Sequence, residues 1–293
     1  GEYTMQIVTD SATNIELVVA PELASLAHIV PLSVTLDGHN YRDGIDLSPQ
    51  EFYQRLASTG RLPVTSQPSA GEFAELYRHL AATDPEILSI HMSGGLSGTV
   101  NSATLAAAEV SEAHVTVVDT KTLSTPAGWQ VEAALLGAKN GWPLEQILQR
   151  MERIRESTNT LFTLNELKYL IHGGRISHLK GLLAQVLNIK PVIGVEKERG
   201  TYVQHGQARS FKGAVRAVVD YMAQSHAPGS QLRVQVVHAF NPEGAELLHD
   251  EIASRFECTW LPAGTMSFVL GAHTGPSMIG VAYAPAQEFA GQQ

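Results

Sequence analysis

The segment EILSIHMSGGLSGTVNSATLAAAEV, Glu86 to Val110, decides the fold class. Its first part, EILSIHM, is a short apolar run of the kind that forms a buried strand. Its last part, VNSATLAAAEV, is rich in alanine, the residue with the highest helix propensity. SGGLSGT lies between them and supplies glycines and hydroxyl side chains. A strand, a polar turn and a helix in this order predict an α/β fold.

The same alternation runs through the first half of the chain. MQIVTD and HVTVVDT predict two more strands, and QVEAALLGAKNG predicts a helix that ends at a glycine. Ser69 and Glu72 form a capping-box pattern at the start of another helix. Strands separated by helices form parallel, doubly wound sheets, which bind ligands at the carboxyl ends of their strands.

The pattern changes near residue 155. KPVIGVEKERGTYVQHGQ predicts a hairpin that turns at ERG, and QLRVQVVHAF begins one more strand–helix–strand unit. VLGAHTGPSMIGVAYA predicts a loop followed by a last strand. We therefore expect two domains: residues 1–155 form the doubly wound parallel sheet, and residues 156–293 form a smaller α/β domain.

Two further predictions concern the start of the second half. Thr163 and Glu166 form another capping-box pattern, which predicts a helix over TLNELKYLIH. GLLAQVLNI predicts an apolar helix. Such a helix belongs either to an ordinary core or to the wall of a deep apolar pocket.

The composition is that of an ordinary globular protein, with 44% hydrophobic and 17% charged residues. A net charge of −9 argues against nucleic acid as a partner, because nucleic acid needs a basic surface. The single cysteine, Cys258, leaves no internal disulfide and suits a reducing compartment. No apolar run reaches the ~18 residues of a membrane span, so we expect a cytoplasmic protein.

The turn SGGLSGT has the features of an anion site. The start of a helix presents free N–H groups and a partial positive charge, and Ser93, Ser97 and Thr99 add hydroxyl donors. The anion could be a nucleotide phosphate, a reaction intermediate or a carboxylate. A plain connection capped by Ser97 or Thr99 explains the turn equally well.

Common catalytic and cofactor motifs do not fit. The chain has no G-x-G-x-x-G or G-x-x-x-x-G-K-[ST] pattern, and the turn misses the nucleophile elbow because Thr99 stands where its last glycine should be. The 12 histidines lack metal-ligand spacing. We therefore expect neither a metal nor a cofactor.

Other polar turns follow strands of the same half. TDSAT contains Ser11, TSQPS contains Thr65, and VDTKTLSTPAG contains Ser124. On a doubly wound sheet such turns meet at one edge, and there they would join Ser93 around one cleft. These neutral donors suit binding an anion better than activating a nucleophile, because no general base is among them.

Two loops of the second half add polar groups. HGGRISHLKG carries Arg175, and GAHTGPSMIGV carries His273 between small residues. A histidine in such a loop can approach an anion closely and, if protonated, adds positive charge. A turn histidine bonded to backbone is the simpler interpretation of His273 alone.

Taken together, seven stretches resemble the DegV family, the FakB-type bacterial fatty-acid-binding proteins. In family order they are IVTDSAT, PVTSQPS, SGGLSGTVNSA, VVDTKTLS, LKYLIHGGRIS, LNIKPVIGV and GAHTGPSMIGV. The resemblance implies a two-domain α/β protein that encloses one long-chain fatty acid, such as palmitate, stearate or oleate, between its domains. It also implies a lipid carrier without catalytic activity of its own.

The resemblance implies specific site residues. The carboxylate contacts would be Thr65, Ser93 and His273, with supporting positions in the same loops at Ser66, Gly94, Ser97 and Thr274. The acyl tail would lie in an apolar tunnel.

The resemblance also implies a partner, a fatty acid kinase that converts the presented acyl group to an acyl phosphate for phospholipid synthesis. Membrane contact would be transient. Arg175 matches a family arginine near the portal that is implicated in the hand-over, and Arg209 and Lys212 match a second basic segment after the hairpin. That second segment is ARSFKGA here, so Phe211 stands where the family pattern has a basic residue.

The alternative is a serine-dependent hydrolase or phosphotransferase that uses Ser93 and His273. Such an enzyme needs a third group to orient the histidine and a defined oxyanion hole. Neither loop contains an acid, so Asp10 or Asp119 would have to approach in space.

Overall fold

The computed structural model describes residues 5–179, 181 and 188–292. Its strands are β1 (Gln6–Asp10), β2 (Ala27–Val30), β3 (Ser33–Leu36), β4 (His39–Arg42), β5 (Val64–Ser66), β6 (Glu86–His91), β7 (His114–Asp119), β8 (Asn159–Thr163), β9 (Lys190–Val195), β10 (Tyr202–Ala208), β11 (Gln231–His238), β12 (Glu257–Trp260), β13 (Gly264–Thr265) and β14 (Ile279–Pro285). Its helices are α1 (Ile15–Val18), α2 (Pro21–Ala24), α3 (Pro49–Thr59), α4 (Ala70–Ala81), α5 (Thr99–Glu109), α6 (Ser124–Lys139), α7 (Leu144–Ser157), α8 (Lys168–Gly173), α9 (Phe211–Ser225), α10 (Pro242–Ala253) and α11 (Phe268–Thr274).

The first half forms the doubly wound parallel sheet that the sequence predicts. Its strands run in the order β2-β1-β6-β7, and all neighbours are parallel. Along β1, Ile7 packs on the side of α6 and α7, whereas Val8 packs on the side of α4 and α5. Apolar side chains on both faces explain why these strands read as continuous hydrophobic runs.

The second half contains a larger, mainly antiparallel sheet. Its order is β10-β9-β8-β14-β11-β12, and β13 also pairs with β11. β9 and β10 form the predicted hairpin, and β11, α10 and β12 form the predicted strand–helix–strand unit with parallel strands. α9 and α10 pack on one face through residues such as Val215 and Leu248.

A third, antiparallel sheet of β4, β3 and β5 was not predicted from the sequence. β3 and β4 are joined at Asp37 and Gly38, which both have positive φ angles, 51° and 80°. Asp-Gly is a strong signal for a two-residue hairpin turn and could have revealed this element. Thr65 lies on β5, so the prediction that it stands at the edge of the parallel sheet is wrong.

The two halves share one hydrophobic core. Phe52 of α3 stacks on Phe268 of α11 with ring centroids 4.8 Å apart, and both side chains are fully buried. Ile193 and Tyr202 of the second sheet belong to the same cluster. The boundary near residue 155 falls in the last turns of α7, and the division into domains stays a prediction.

The start of the second half differs from the sequence prediction. Thr163 is the last residue of β8 and pairs with Ile279, so it does not cap a helix. α8 begins only at Lys168, after Leu167, which forms no side-chain cap. Strand pairing has therefore overridden a local capping pattern. Of the predicted helix GLLAQVLNI, residues 182–187 lie outside the described residues.

Candidate functional site

Ser93 lies in the turn between β6 and α5, and it is fully buried. Its backbone N–H donates to the Thr122 carbonyl at 2.7 Å. Its hydroxyl donates to the carbonyl of Gly200, in the β9–β10 turn, at 2.8 Å and accepts from the Gly95 N–H at 3.1 Å. Ser93 therefore joins the glycine turn to the hairpin of the second half.

Other groups of this turn also form hydrogen bonds within the protein. The Gly94 N–H lies 3.2 Å from both carboxylate oxygens of Asp119. The hydroxyls of Ser97 and Thr99 lie 2.8 Å apart, and Ser97 Oγ accepts from the Thr99 N–H at 3.2 Å. The anion that the turn holds in this structure is thus the carboxylate of Asp119.

Thr65 and His273 meet although they are far apart in sequence. Thr65 Oγ1 lies 2.7 Å from Nε2 of His273. His273 stands in the last turn of α11, so the prediction of a loop over this segment is wrong. The predicted supporting residues next to this pair differ in exposure. Ser66, which follows Thr65, is exposed, whereas Thr274, which follows His273, is buried and donates to the Gly275 carbonyl at 3.2 Å.

The imidazole of His273 is closely enclosed. Its Nδ1 is buried without a hydrogen-bond partner among the described residues, and a Cβ on Gly173 would stand 2.2 Å from it. Burial, together with the smaller effects of the nearby Arg175 and His172, lowers the pKa of His273 to about 4. The expected positive charge is therefore absent at neutral pH in this conformation.

Arg175 connects this pair to the glycine turn. Its Nε donates to the Leu96 carbonyl at 3.3 Å, and its Nη1 donates to the Gly173 carbonyl at 2.6 Å. On the other side, the Gln67 side chain packs against Gly98 so closely that a Cβ there would lie 2.4 Å from it. The motifs that carry Thr65, Ser93 and His273 thus meet in one region.

An apolar cavity adjoins this polar region. It is lined by α11, by the second sheet and by residues next to these elements and to α6, among them Leu123, Phe162, Tyr202, Met266, Leu270, Thr274 and Met278. Burial raises the pKa of Tyr202 to about 12, and Arg175 partly opposes the shift, which places the guanidinium near this wall. The cavity measures about 40 Å³, well below the ~300–1,000 Å³ of typical ligand pockets.

Two hydroxyls expected at the anion site serve other contacts. Ser11 Oγ accepts from the Leu32 N–H at 3.0 Å, and Ser124 Oγ donates to Asn14 Oδ1 at 2.9 Å. Ser124 also lines the apolar cavity. The parallel sheet therefore gathers fewer hydroxyls at its edge than the sequence predicts.

The remaining predicted positions are on the surface. Arg209 is exposed beyond the end of β10, and Lys212 is exposed in the first turn of α9. Within residues 5–179, 181 and 188–292, no cluster of side chains could hold a metal ion. The same part of the chain has no helix long and apolar enough to cross a bilayer.

The sequence has relatives that share these motifs. The sequence profile of the DegV family matches residues 4–286. A DegV domain-containing protein of Deinococcus radiodurans is 33% identical over 279 residues, or 95% of either chain. The chain belongs to the DegV family. The family assignment from the sequence motifs is thereby confirmed.

Solved DegV structures share the fold. A fatty-acid-binding DegV family protein of Thermus thermophilus superposes with a TM-score of 0.82 at 31% identity, and covers 96% of this chain and 99% of its own. A Thermotoga maritima protein whose structure reveals a fatty acid binding function gives 0.82 at 28% identity, and covers 97% of this chain and 100% of its own. The predicted α/β fold class is confirmed.

Two contacts of the glycine turn were not predicted from the sequence. The carbonyl of Gly200 and the carboxylate of Asp119 engage this turn, whereas the sequence suggested Asp119 only as an acid for the alternative enzyme. A carbonyl contact carries no sequence signal. The role of Gly173 could have been suspected, because a glycine pair suggests close backbone approach.

Proposed function

We propose that this DegV protein binds one long-chain fatty acid, with its carboxylate at Thr65, Ser93 and His273 and its tail in the adjoining apolar space. The observation that carries the proposal is the junction of a buried polar cluster with an apolar cavity, both of them built partly from α11. A charged head and an apolar tail need such neighbouring environments. The fatty acids bound by related DegV proteins support this ligand class.

Thr65 is the group best prepared to donate to the carboxylate. With the imidazole proton on Nε2, His273 donates to Thr65 Oγ1, and the threonine proton is left free for a ligand. The neutral imidazole then acts through Thr65, while Arg175, which lies nearby, supplies positive charge. A buried carboxylate requires such donors, because an unpaired buried charge is very unfavourable.

Ser93 must change partners to bind the same carboxylate. A hydroxyl has one proton, and in this structure the proton of Ser93 goes to the Gly200 carbonyl. An ionised carboxylate can only accept hydrogen bonds. Ligand binding at Ser93 therefore competes with the contact between the glycine turn and the hairpin.

Burial of the tail supplies most of the binding energy. Each buried CH₂ contributes about 0.8 kcal/mol, so a C16–C18 tail gains roughly 12 kcal/mol before the costs of association. The cavity holds only part of such a tail, and the flexible side chains of Met266 and Met278 can move to enlarge it. The preferred length of the acyl chain would then depend on how far these methionine side chains can move.

We further propose that the bound acyl group is presented to a fatty acid kinase. Arg175 reaches both the glycine turn and α8, and Arg209 and Lys212 offer exposed positive charge on a protein of net charge −9. Charge reversal at Arg209 should weaken the kinase complex, as measured by surface plasmon resonance, without changing fatty acid affinity. Unchanged kinase binding would remove Arg209 from that surface.

The alternative of a serine-dependent enzyme lacks the contacts it needs. Among the described residues, Ser93 Oγ bonds to Gly200 rather than to His273, whose Nε2 bonds to Thr65. The two candidate acids are engaged elsewhere, because Asp10 bonds to His91 and Asp119 bonds to Gly94.

The proposed function is tested by extraction of protein produced in bacteria. Organic extraction and mass spectrometry should recover a C16–C18 fatty acid near one equivalent. Thr65→Val should lose much of it, whereas Ser66→Ala, at the exposed neighbouring position, should retain it. Absence of an acyl species from the wild-type protein, together with no binding of added oleate, would contradict the proposal.

A further inference from the structure

Helix α11 starts on a buried carboxylate. Ser267 is the N-cap of this helix, and its Oγ accepts from the Val269 N–H at 3.2 Å. The same hydroxyl donates to Oδ2 of Asp43, which follows β4. Ser267 and Asp43 are only 3% and 6% exposed. Since α11 is a short helix with His273 in its last turn, the position of the imidazole follows from the position of Ser267.

The uncharged side chain of Asn14 also contacts Ser267 at the start of α11. The Ser267 N–H lies 3.4 Å from Oδ1 of Asn14, which also accepts from Ser124 Oγ at 2.9 Å. Asn14 has a left-handed backbone conformation with φ of 49° and stands in the turn after β1. It thereby ties the start of α11 to the start of α6. Of the groups bonded to Ser267 here, Asn14 is neutral and Asp43 is ionisable.

The groups that face Asp43 do not neutralise it. The charged side chains that act on it are acidic, Glu16 of α1 and Asp10 of β1. From α3, the hydroxyl of Tyr53 is buried without a hydrogen-bond partner among the described residues, and the charge of Asp43 raises its pKa further. The ionised form of Asp43 is therefore a buried negative charge that has no cation beside it in the part of the chain that the structure describes.

Burial raises the pKa of Asp43 to about 7, and hydrogen bonds from Ser267 and Ser11 offset only part of the shift. Protonated Asp43 occupies the junction without a buried charge. Ionised Asp43 would be stabilised by hydration. Water can hydrate it fully only when the start of α11 moves away, so protonation favours the docked position of α11.

We propose that Asp43 is a positioning residue for the head-group site, which holds α11 and therefore His273 in place most firmly when it is protonated. It does not touch the ligand, and it acts through Ser267. The inference rests on the proposed function, since it assumes that fatty acid binding requires the docked position of α11. It predicts that affinity depends on pH through a group remote from the ligand.

The sign of this dependence follows from the two states of Asp43. The docked state has a pKa of about 7, and the hydrated state has the ordinary value of 3.8. The advantage of docking is therefore complete below about pH 4, declines by up to tenfold per pH unit, and is lost by about pH 7. Above pH 7 the affinity no longer changes through this group.

The test compares the wild type with Asp43→Asn between pH 5.5 and 8.5. The dissociation constant of oleate is measured by displacement of a fluorescent fatty acid, and the ratio of wild type to variant cancels the titration of the ligand. The ratio should rise toward pH 7, by up to tenfold per unit, and then level off. A purely structural role would alter Tm but leave this ratio independent of pH, because Kd is measured on folded protein.

The matched control is Asp46→Asn, in the same segment. Asp46 is partly exposed and pairs with Arg42 at 3.1 Å, so its substitution should leave the ratio flat. A ratio for Asp43→Asn that is also flat would overturn the proposal.

An NMR titration of the ligand-free wild type serves if Asp43→Asn does not fold. The Val269 amide and the His273 ring signals should shift together with a midpoint near pH 7, and no shift of either near that pH would overturn the proposal. Failure of oleate to bind at any pH would contradict the proposed function instead, since the titration needs no ligand.

Discussion

The glycine turn and the Thr65–His273 pair both carry polar groups toward one region, but they differ in what those groups already bind. In the turn, Ser93 donates to Gly200 and Gly94 donates to Asp119, so these two donors are satisfied within the protein. The Thr65–His273 pair leaves a threonine proton free when the imidazole donates. The segment with the strongest anion-binding pattern is therefore not the one best prepared to receive an anion.

Thr65→Val should have the largest effect on affinity. Valine keeps the β-branched shape that suits β5, but it removes the Thr65 donor from the carboxylate and the hydrogen-bond partner from His273. Loss of a buried hydrogen bond to a charged group costs about 1–3 kcal/mol. We expect oleate affinity to fall by roughly 5- to 150-fold in isothermal titration calorimetry. An effect no larger than that of Ser93→Ala would reverse the ranking of the two regions.

Ser93→Ala should have a smaller effect on affinity and a clear effect on stability. The wild-type hydroxyl must break its hydrogen bond to the Gly200 carbonyl before it can bind the ligand, so its net contribution to the binding free energy is reduced. Removal of the hydroxyl leaves the buried Gly200 carbonyl unpaired, which costs about 1–3 kcal/mol of unfolding free energy. Chemical denaturation with and without oleate separates the two effects. A stability equal to that of wild type would contradict the importance of the Ser93–Gly200 contact.

The β9–β10 turn should respond to the ligand more subtly. When Ser93 turns to the carboxylate, the Gly200 carbonyl loses its donor, and residues 196–201 should exchange amide hydrogen faster with saturating oleate. In Ser93→Ala this response should disappear, because the contact is already broken. Identical exchange in bound and free wild-type protein would mean that Ser93 keeps Gly200 as its partner.

The last prediction concerns the charge of His273, whose effect on stability appears only below neutral pH. Burial lowers its pKa to about 4 from 6.5, so the folded state binds this proton less tightly than the unfolded state. Its contribution to stability is present above pH 6.5 and is lost as the pH falls toward 4. The Tm of wild type should decline more steeply over this window than that of His273→Gln. Parallel profiles would show that the imidazole charges freely in the folded protein.

Some elements of this fold have local sequence signals and others do not. The parallel sheet, the β9–β10 hairpin and the family were predicted correctly, because apolar periodicity, turn residues and ordered motifs are local signals. The β3–β4–β5 sheet was missed, although Asp37-Gly38 carried a hairpin signal. The helix that bears His273 was predicted as a loop, since its glycine and small residues suggested a turn and its burial among Phe52 and Tyr53 is a tertiary effect.

The candidate site likewise combines features that have local sequence signals with features that depend on the tertiary structure. Thr65 and His273 lie 208 residues apart in the chain, so only the family resemblance, and no local pattern, indicated that they stand together. The pKa of His273 and the internal partners of Ser93 depend on burial and on backbone atoms of other elements. Such features have no local pattern, so no sequence reasoning could supply them.

The most direct test of fatty acid binding at the Thr65–His273 pair is NMR of bound [1-¹³C]oleate. The wild-type protein should give one carboxylate signal that stays ionised from pH 5.5 to 8 and is shifted by Thr65→Val but not by Ser66→Ala. A bound carboxyl signal that is indifferent to Thr65→Val, or that titrates like oleate in solution, would contradict the placement of the head group at this pair.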